Sequence, residues 1–218
     1  MKTLIWIMGS IAAGVIIFIG VTLVLFIRSN SQISTGNVIE EYPMDNSILL
    51  VVDVQEGTTG KVSIDHAYQN KASNLFYSLN TLIPEADKRN MPVVYIYNEI
   101  TNPVINLLSS AMKKGSPGTE LDSRLDIVSN HIFSKNRQDA FSNPSFEKFL
   151  ISNKINTIYV TGLDAGYCVR STALAALNRN YQVILIEEAI ISKSDQLKSD
   201  SFQEMSDKGA RIIQDNRF

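Results

Sequence analysis

Cys168 is the only cysteine in the 218-residue chain. It lies in Ile158-Tyr159-Val160-Thr161-Gly162-Leu163-Asp164-Ala165-Gly166-Tyr167-Cys168-Val169, where an apolar β-rich run is expected to turn into a helix. A thiol in the first turn of a helix meets unpaired backbone N–H groups and the positive end of the helix dipole, and both favour thiolate. One reading is therefore a nucleophile; the other is a small buried apolar side chain. Two further reactive residues sit at the ends of apolar runs. Asp53 closes Ile48-Leu49-Leu50-Val51-Val52, and Lys135 follows Ile127 to Ser134. Taken singly, the aspartate suits a turn and the lysine a solvated surface, and Lys113 and Lys114 are competing cations. Taken together they make a set. Asp53 can accept a thiol proton and return it to a leaving nitrogen. Lys135 is a cation that favours both ionised partners. Sulfur attack on an amide carbonyl then gives a thioester acyl-enzyme, which water hydrolyses. Backbone N–H groups of the Gly162–Cys168 turn would hold the oxyanion, with Gly166 allowing close approach.

The elements that must position these residues alternate. Ile48–Asp53 reads as a strand buried on both faces. His66 to Asn90 has helical spacing at Ala72, Leu75, Phe76, Leu79, Leu82, Ile83 and Ala86. Further strands are expected at 92–97, 127–134, 155–161, 182–187 and 210–214. Further helices are expected at 144–152, 167–180 and 195–208. Residues 98–125 form a long excursion with a short helix near 105–112 and a turn at 115–118. The pattern predicts an α/β fold: an open, mostly parallel six-stranded sheet with helices on both faces. Ligands bind beyond the carboxyl ends of such strands, so Asp53, Lys135 and Cys168 converge on one rim. Asp53-Val54-Gln55-Glu56-Gly57 lacks a Gly-rich phosphate loop, which removes the main support for a nucleotide site.

Thr161-Gly162, five intervening residues, Cys168-Val169 and Thr172-Ala173 resemble the nucleophile motif of the isochorismatase-like cysteine hydrolases. Asp53-Val54-Gln55 resembles that family's D-x-Q, and Lys135-Asn136-Arg137-Gln138-Asp139-Ala140-Phe141 its K-x-R-x-S-A-F segment. The resemblance covers about residues 46–215. It implies a catalytic triad of Asp53, Lys135 and Cys168. It also implies a cis peptide at Leu163–Asp164, aiming the Asp164 N–H, with that of Cys168, at the oxyanion. Substrate-pocket candidates are Gln55, Asn98, Phe141 and Tyr167, with Glu99 and Asn102 as further polar contacts and Arg137 and Arg170 as pocket or interface residues. Two positions depart from the pattern: Thr58 stands where an aromatic residue is usual, and Asp139 where serine is. Both put the pocket lining in question. Nicotinamidases of the family carry an Asp/His metal site. Here His66 and His131 are the only histidines and have no ligand spacing, so no metal and no cofactor is expected. Isochorismatases proper cleave a vinyl ether without the cysteine, so Cys168 points to the amidase branch: cleavage of an amide, ureido or lactam-like C–N bond in a small molecule. The alternative is an inactive member of the same fold, serving as a ligand-binding or oligomeric module at the membrane. A redox sensor would lack a resolving cysteine.

Ahead of this domain, Leu4 to Ile27 carries no charged side chain. A helix of about 24 residues spans about 36 Å, enough for a hydrocarbon core of about 30 Å. Residues 1–28 are expected to be a single-pass transmembrane anchor, 29–45 a polar tether, and 46–218 the hydrolase domain. A cleaved signal peptide is the alternative, although its apolar region is normally about 7–15 residues. The flanking charges Lys2 and Arg28 give little bias; the expectation is an extracytoplasmic domain. Setting those two aside leaves 18 basic and 22 acidic residues, a net charge of about −4. No basic run suggests nucleic acid. The expected partners are a small amide-like substrate and the membrane, with a homo-oligomer left open.

Overall fold

The computed structural model describes residues 2–218, with side chains from Trp6 onward. Helix α1 (Lys2–Asn30) is followed by an irregular stretch and then by an alternating domain. The strands are β1 (Asn46–Val52), β2 (Val93–Asn98), β3 (Ile132–Lys135), β4 (Ile155–Leu163), β5 (Gln182–Ile191) and β6 (Arg211–Ile213). The helices are α2 (His66–Lys88), α3 (Pro103–Leu108), α4 (Pro144–Ser152), α5 (Cys168–Leu177) and α6 (Asp195–Asp207). The strand order is β3-β2-β1-β4-β5-β6 and every pairing is parallel. The order reverses between β1 and β4, which makes a crevice at their carboxyl ends.

β1 shows why the sheet is covered twice. Ile48, Leu50 and Val52 enter one core with Ala173, Val169 and Phe146; Leu49 and Val51 enter the other with Leu75, Leu79 and Ile83 of α2. Alternate side chains of a strand point to opposite faces, so a continuous apolar run serves both layers. α2 starts where the Asp65 carboxylate accepts the Ala67 N–H at 3.1 Å, an N-cap bond. α5 lies close to the sheet because Ala173, Ala175 and Ala176 are fully buried and small.

Three expectations change. The third strand is only Ile132–Lys135, because 127–131 run along the sheet edge, where the Tyr95 hydroxyl donates to the Asp126 carbonyl at 2.8 Å and accepts from the Val128 N–H. The excursion helix begins earlier, at Pro103, capped by Asn102 accepting the Val104 N–H at 3.0 Å. The segment read as a polar tether is docked. The Ser34 N–H donates to Asp139 Oδ2 at 2.8 Å, Arg179 Nη1 donates to the Ser34 carbonyl at 3.1 Å, and the Ile39 N–H donates to the Arg179 carbonyl at 2.9 Å. Ile33 and Ile39 pack against the core. Polar composition alone had hidden two apolar anchors spaced to reach the domain surface.

Candidate active site

Asp53 is the first residue past β1 and has φ 56°, a left-handed conformation that aspartate tolerates better than most. Its backbone is pinned on both sides. The Asp53 N–H donates to the Ile96 carbonyl at 2.8 Å, and the Thr58 hydroxyl donates to the Asp53 carbonyl at 2.8 Å. Thr58 Oγ1 also accepts the Gln55 N–H at 3.0 Å. Thr58 therefore builds the turn that aims Asp53.

Lys135 ends β3. Its side chain is closed to solvent, and its ammonium donates to Asp53 Oδ2 at 2.7 Å, the Arg137 carbonyl at 3.1 Å and Cys168 Sγ at 3.2 Å. An ammonium has three hydrogens, and each has an acceptor. Burial opposes the charged form of Lys135, but Asp53 and Cys168 outweigh it and hold the ammonium pKa above its ordinary value. Asp53 Oδ1 is buried and has no hydrogen-bonding partner among the side-chain and backbone groups described, which leaves it able to take a proton.

Cys168 opens α5 after the turn from β4. Gly162, with φ +104°, is required there, because a Cβ would lie 2.1 Å from the Val52 carbonyl oxygen. The Leu163–Asp164 peptide is cis. The Asp164 carbonyl accepts the Tyr167 and Val169 N–H groups at 3.0 and 3.1 Å. Among the described residues the N–H groups of Asp164 and Cys168 have no acceptor. The Asp164 carboxylate locks the turn: Oδ1 accepts the Gly166 N–H at 2.6 Å and the Ser192 hydroxyl at 2.9 Å, and Oδ2 accepts the Lys193 N–H at 2.8 Å. Tyr68 faces the same carboxylate; burial, then the Asp164 charge, push its phenol pKa up.

The thiol departs from expectation. Burial pushes the Cys168 pKa up, the Asp53 carboxylate adds to it, and Lys135 offsets only part. The helix terminus favours thiolate; burial and the Asp53 carboxylate act in the opposite direction.

Several candidates lie elsewhere. Phe141 is buried in the core against Phe146 and Tyr181, with the Arg179 guanidinium 4.5 Å from its ring centre, so it does not line a pocket. Gln55 is fully buried: its amide donates to the Asn98 and Thr119 carbonyls and accepts the Asn98 N–H, bracing the excursion. Asp139, also buried, accepts the Ser34 and Phe141 N–H groups. Arg170 pairs with Glu204 of α6, its Nε 2.6 Å from Oε2, and Glu99 pairs with Lys114 at 3.1 Å. His66 bonds Gln69 and His131 stacks on Phe149. Asn98, opposite Lys135 in the register, and Tyr167, 43% exposed, remain at the rim. The sequence reading did not find Ser192 or Tyr68, which no local motif marks. Thr58 was noted only as a departure, although a hydroxyl three residues after an N–H it can accept is a local turn signal.

The sequence matches the family profile described as the isochorismatase domain over residues 47–216. It is 28% identical to an N-carbamoylsarcosine amidase of an Arthrobacter species over 128 residues, 58% of this chain and 46% of that enzyme, so it spans less than half of that relative's length. Among solved structures, an N-carbamoylsarcosine amidase from Thermoplasma acidophilum superposes with a TM-score of 0.67 at 26% identity, covering 79% of this chain and 98% of that one. An isochorismatase-like hydrolase from Alkaliphilus metalliredigens gives 0.68 at 20% identity, covering 79% and 96%.

Proposed function

Because the chain belongs to the isochorismatase family, we propose that it is a cysteine hydrolase that cleaves the C–N bond of a small amide, ureido or lactam-like compound through a thioester on Cys168. The observation that carries this is the buried Lys135 ammonium, which touches Asp53 Oδ2 and Cys168 Sγ at once. The relatives named for N-carbamoylsarcosine amidase make the ureido group a natural member of the substrate panel.

The chemistry follows from the contacts. As the carbonyl carbon reaches Sγ, the thiol proton passes to Asp53 Oδ1. Lys135 stays charged and favours the sulfur anion as it forms. The carbonyl oxygen becomes an oxyanion between the Asp164 and Cys168 N–H groups. Collapse breaks the C–N bond, and Asp53 returns its proton to the departing nitrogen. Water then attacks the thioester, giving its proton to Asp53, and release of the thiol resets the site. Thr58 and Asp139 hold backbone rather than substrate, so these two departures leave the reacting groups intact.

The reading includes α1 as a membrane anchor. Trp6–Asn30 is long and apolar enough to cross a bilayer and none of it is buried against the domain; the orientation that goes with this reading is an extracytoplasmic domain. Protease accessibility in intact cells tests the orientation. The catalytic reading is tested by ammonia release from an amide and ureide panel with the intact protein and with Cys168→Ala, and by mass spectrometry of a trapped adduct. Equal turnover by both proteins overturns it.

A further inference from the structure

The anchor and the candidate site meet at one edge of the molecule. The carbonyl of Asn30, the last residue of α1, accepts the Gln138 N–H at 3.1 Å, three residues past Lys135. Ser34 is bonded to Asp139. Ser34 is six positions past Arg28, and an extended chain covers at most about 20 Å over that length. The rim carrying Lys135 is therefore confined near the plane where α1 leaves the bilayer. The excursion rises from the same rim, since the Glu99 N–H donates to the Lys135 carbonyl at 2.8 Å.

On that excursion, α3 packs beside α1. Among residues 6–30, Ile19, Thr22, Phe26 and Asn30, spaced along one face of α1, are partly covered and the others are open. Ile19 and Phe26 belong to the apolar span, and the short helix packs beside that span. Its outward residues fit that place: Leu107 is 84% exposed and Leu108 58%. Arg28 near the end of α1 and Lys113 shortly past α3 are exposed, the charges that anionic head groups attract. Water is a poor solvent for two adjacent exposed leucines continuous with an apolar helix.

We propose that α3 is a wedge seated in the head-group and acyl boundary beside α1, so that the catalytic rim faces the bilayer and takes amides carried by amphiphiles whose apolar chain stays in the leaflet. This rests on the anchored-hydrolase reading and deepens it.

The full chain in vesicles of phosphatidylcholine and phosphatidylglycerol tests the wedge without any need for turnover. Trp6 is the only tryptophan, so Leu107→Trp and, as a control, Ile151→Trp in the last turn of α4, 51% exposed, are each placed in a Trp6→Phe background. Lipids brominated on the acyl chain should quench the fluorophore at 107 strongly and that at 151 little. Quenching of Trp6 in the parent without quenching at 107 overturns the wedge and leaves the anchor standing. No quenching of Trp6 removes the anchor and the wedge with it. The substrate clause is read separately. Leu107→Glu with Leu108→Glu should lower turnover of a long-chain N-acyl amide at least tenfold while leaving a short-chain amide unchanged. An equal effect on both, or none on either, overturns that clause. Cys168→Ala should keep the quenching pattern, so loss of hydrolysis and loss of docking are told apart.

Discussion

Lys135 Nζ lies 2.7 Å from Asp53 Oδ2, and the two side chains are 0% and 6% exposed. A buried pair of this kind is weak evidence for stability in itself, but breaking it leaves one charge uncompensated, at about 3–5 kcal/mol. Lys135→Met should therefore lower unfolding stability by about that amount and abolish turnover. The double variant Asp53→Asn with Lys135→Met should recover much of the stability and none of the activity. Chemical denaturation of the detergent-solubilised chain measures the first, and ammonia release the second. The sign of the pH dependence follows from the raised ammonium pKa. Stabilisation from Lys135 is complete below the ordinary lysine pKa of about 10.4 and is lost only as pH rises through the higher folded value. The intact pair should thus show no pH dependence from this group across neutral pH.

The thiol gives a prediction of opposite sign for its two neighbours. Burial first, and Asp53 second, raise the Cys168 pKa, while Lys135 lowers it. Iodoacetamide should label the resting protein at pH 7 more slowly than free cysteine, whose pKa is about 8.5, and the rate should climb as pH rises above that value. Asp53→Asn removes a raising influence, so labelling at pH 7 should accelerate even as turnover stops. Lys135→Met removes the lowering influence and should slow labelling further. Faster labelling in Lys135→Met would contradict the arrangement. The raised thiol also sets a stability slope. The folded protein keeps a proton that the unfolded chain gives up above about pH 8.5, so this contribution is full below that pH and declines above it. Cys168→Ser should flatten that alkaline decline.

The turn before α5 is held by Asp164, whose carboxylate accepts Gly166, Ser192 and Lys193 donors. If the Asp164 and Cys168 N–H groups receive the oxyanion, Asp164→Ala should act on kcat rather than KM. Removing a single oxyanion donor elsewhere costs about 10²–10³ in kcat, and a misplaced Asp164 N–H should fall in that range. Ser192→Ala loses one of the several donors to the same carboxylate, about 1.5–3 kcal/mol for a bond to a charged group, and should show a smaller loss of the same kind. Steady-state kinetics on a responsive amide separates the two constants. A rise in KM at constant kcat would assign Asp164 to substrate binding instead.

Much of this was legible in the chain, and the reasons are specific. Ile48–Val52 is apolar without alternation because both faces of β1 are covered, so the strand and its layer were readable together. Asp53, Lys135 and Cys168 stand directly at strand ends or a helix start, where a parallel sheet gathers ligands, so their convergence followed from topology. What failed was long-range. Phe141 sits in a motif beside Lys135, yet the short turn at Ala140–Ser142 directs its ring into the core. Gln55 is next to Asp53, but its amide is consumed by Asn98 and Thr119, more than 40 residues away. The thiol state depends on burial and on a carboxylate 115 positions upstream, neither visible in the residues around Cys168. The docking of residues 31–39 rests on partners at Asp139 and Arg179 that only the fold brings near.

That docking yields the last prediction. Asp139 is fully buried and joins the strap to the Lys135 segment, accepting the Ser34 N–H on Oδ2 and the Phe141 N–H on Oδ1. Asp139→Ala leaves the buried Phe141 N–H and the half-buried Ser34 N–H without this acceptor, at about 1–3 kcal/mol for each that stays dry. The strap should loosen, because Arg179, Asn178 and the two isoleucines must then hold it without Asp139. Limited proteolysis should cut within residues 31–39 faster in Asp139→Ala than in the parent. Burial raises the Asp139 pKa while the donors from Ser34 and Phe141 oppose it. Ionising this carboxylate therefore costs the folded state, and the contribution is most favourable below the ordinary aspartate pKa of about 3.9 and declines as pH rises through the folded value. Asp139→Asn keeps one acceptor oxygen and carries no charge, so its strap should be cut at a rate between those of the parent and the alanine variant, with no dependence on pH in the acid range. Cutting at the parental rate in Asp139→Ala would show that the strap is held without Asp139.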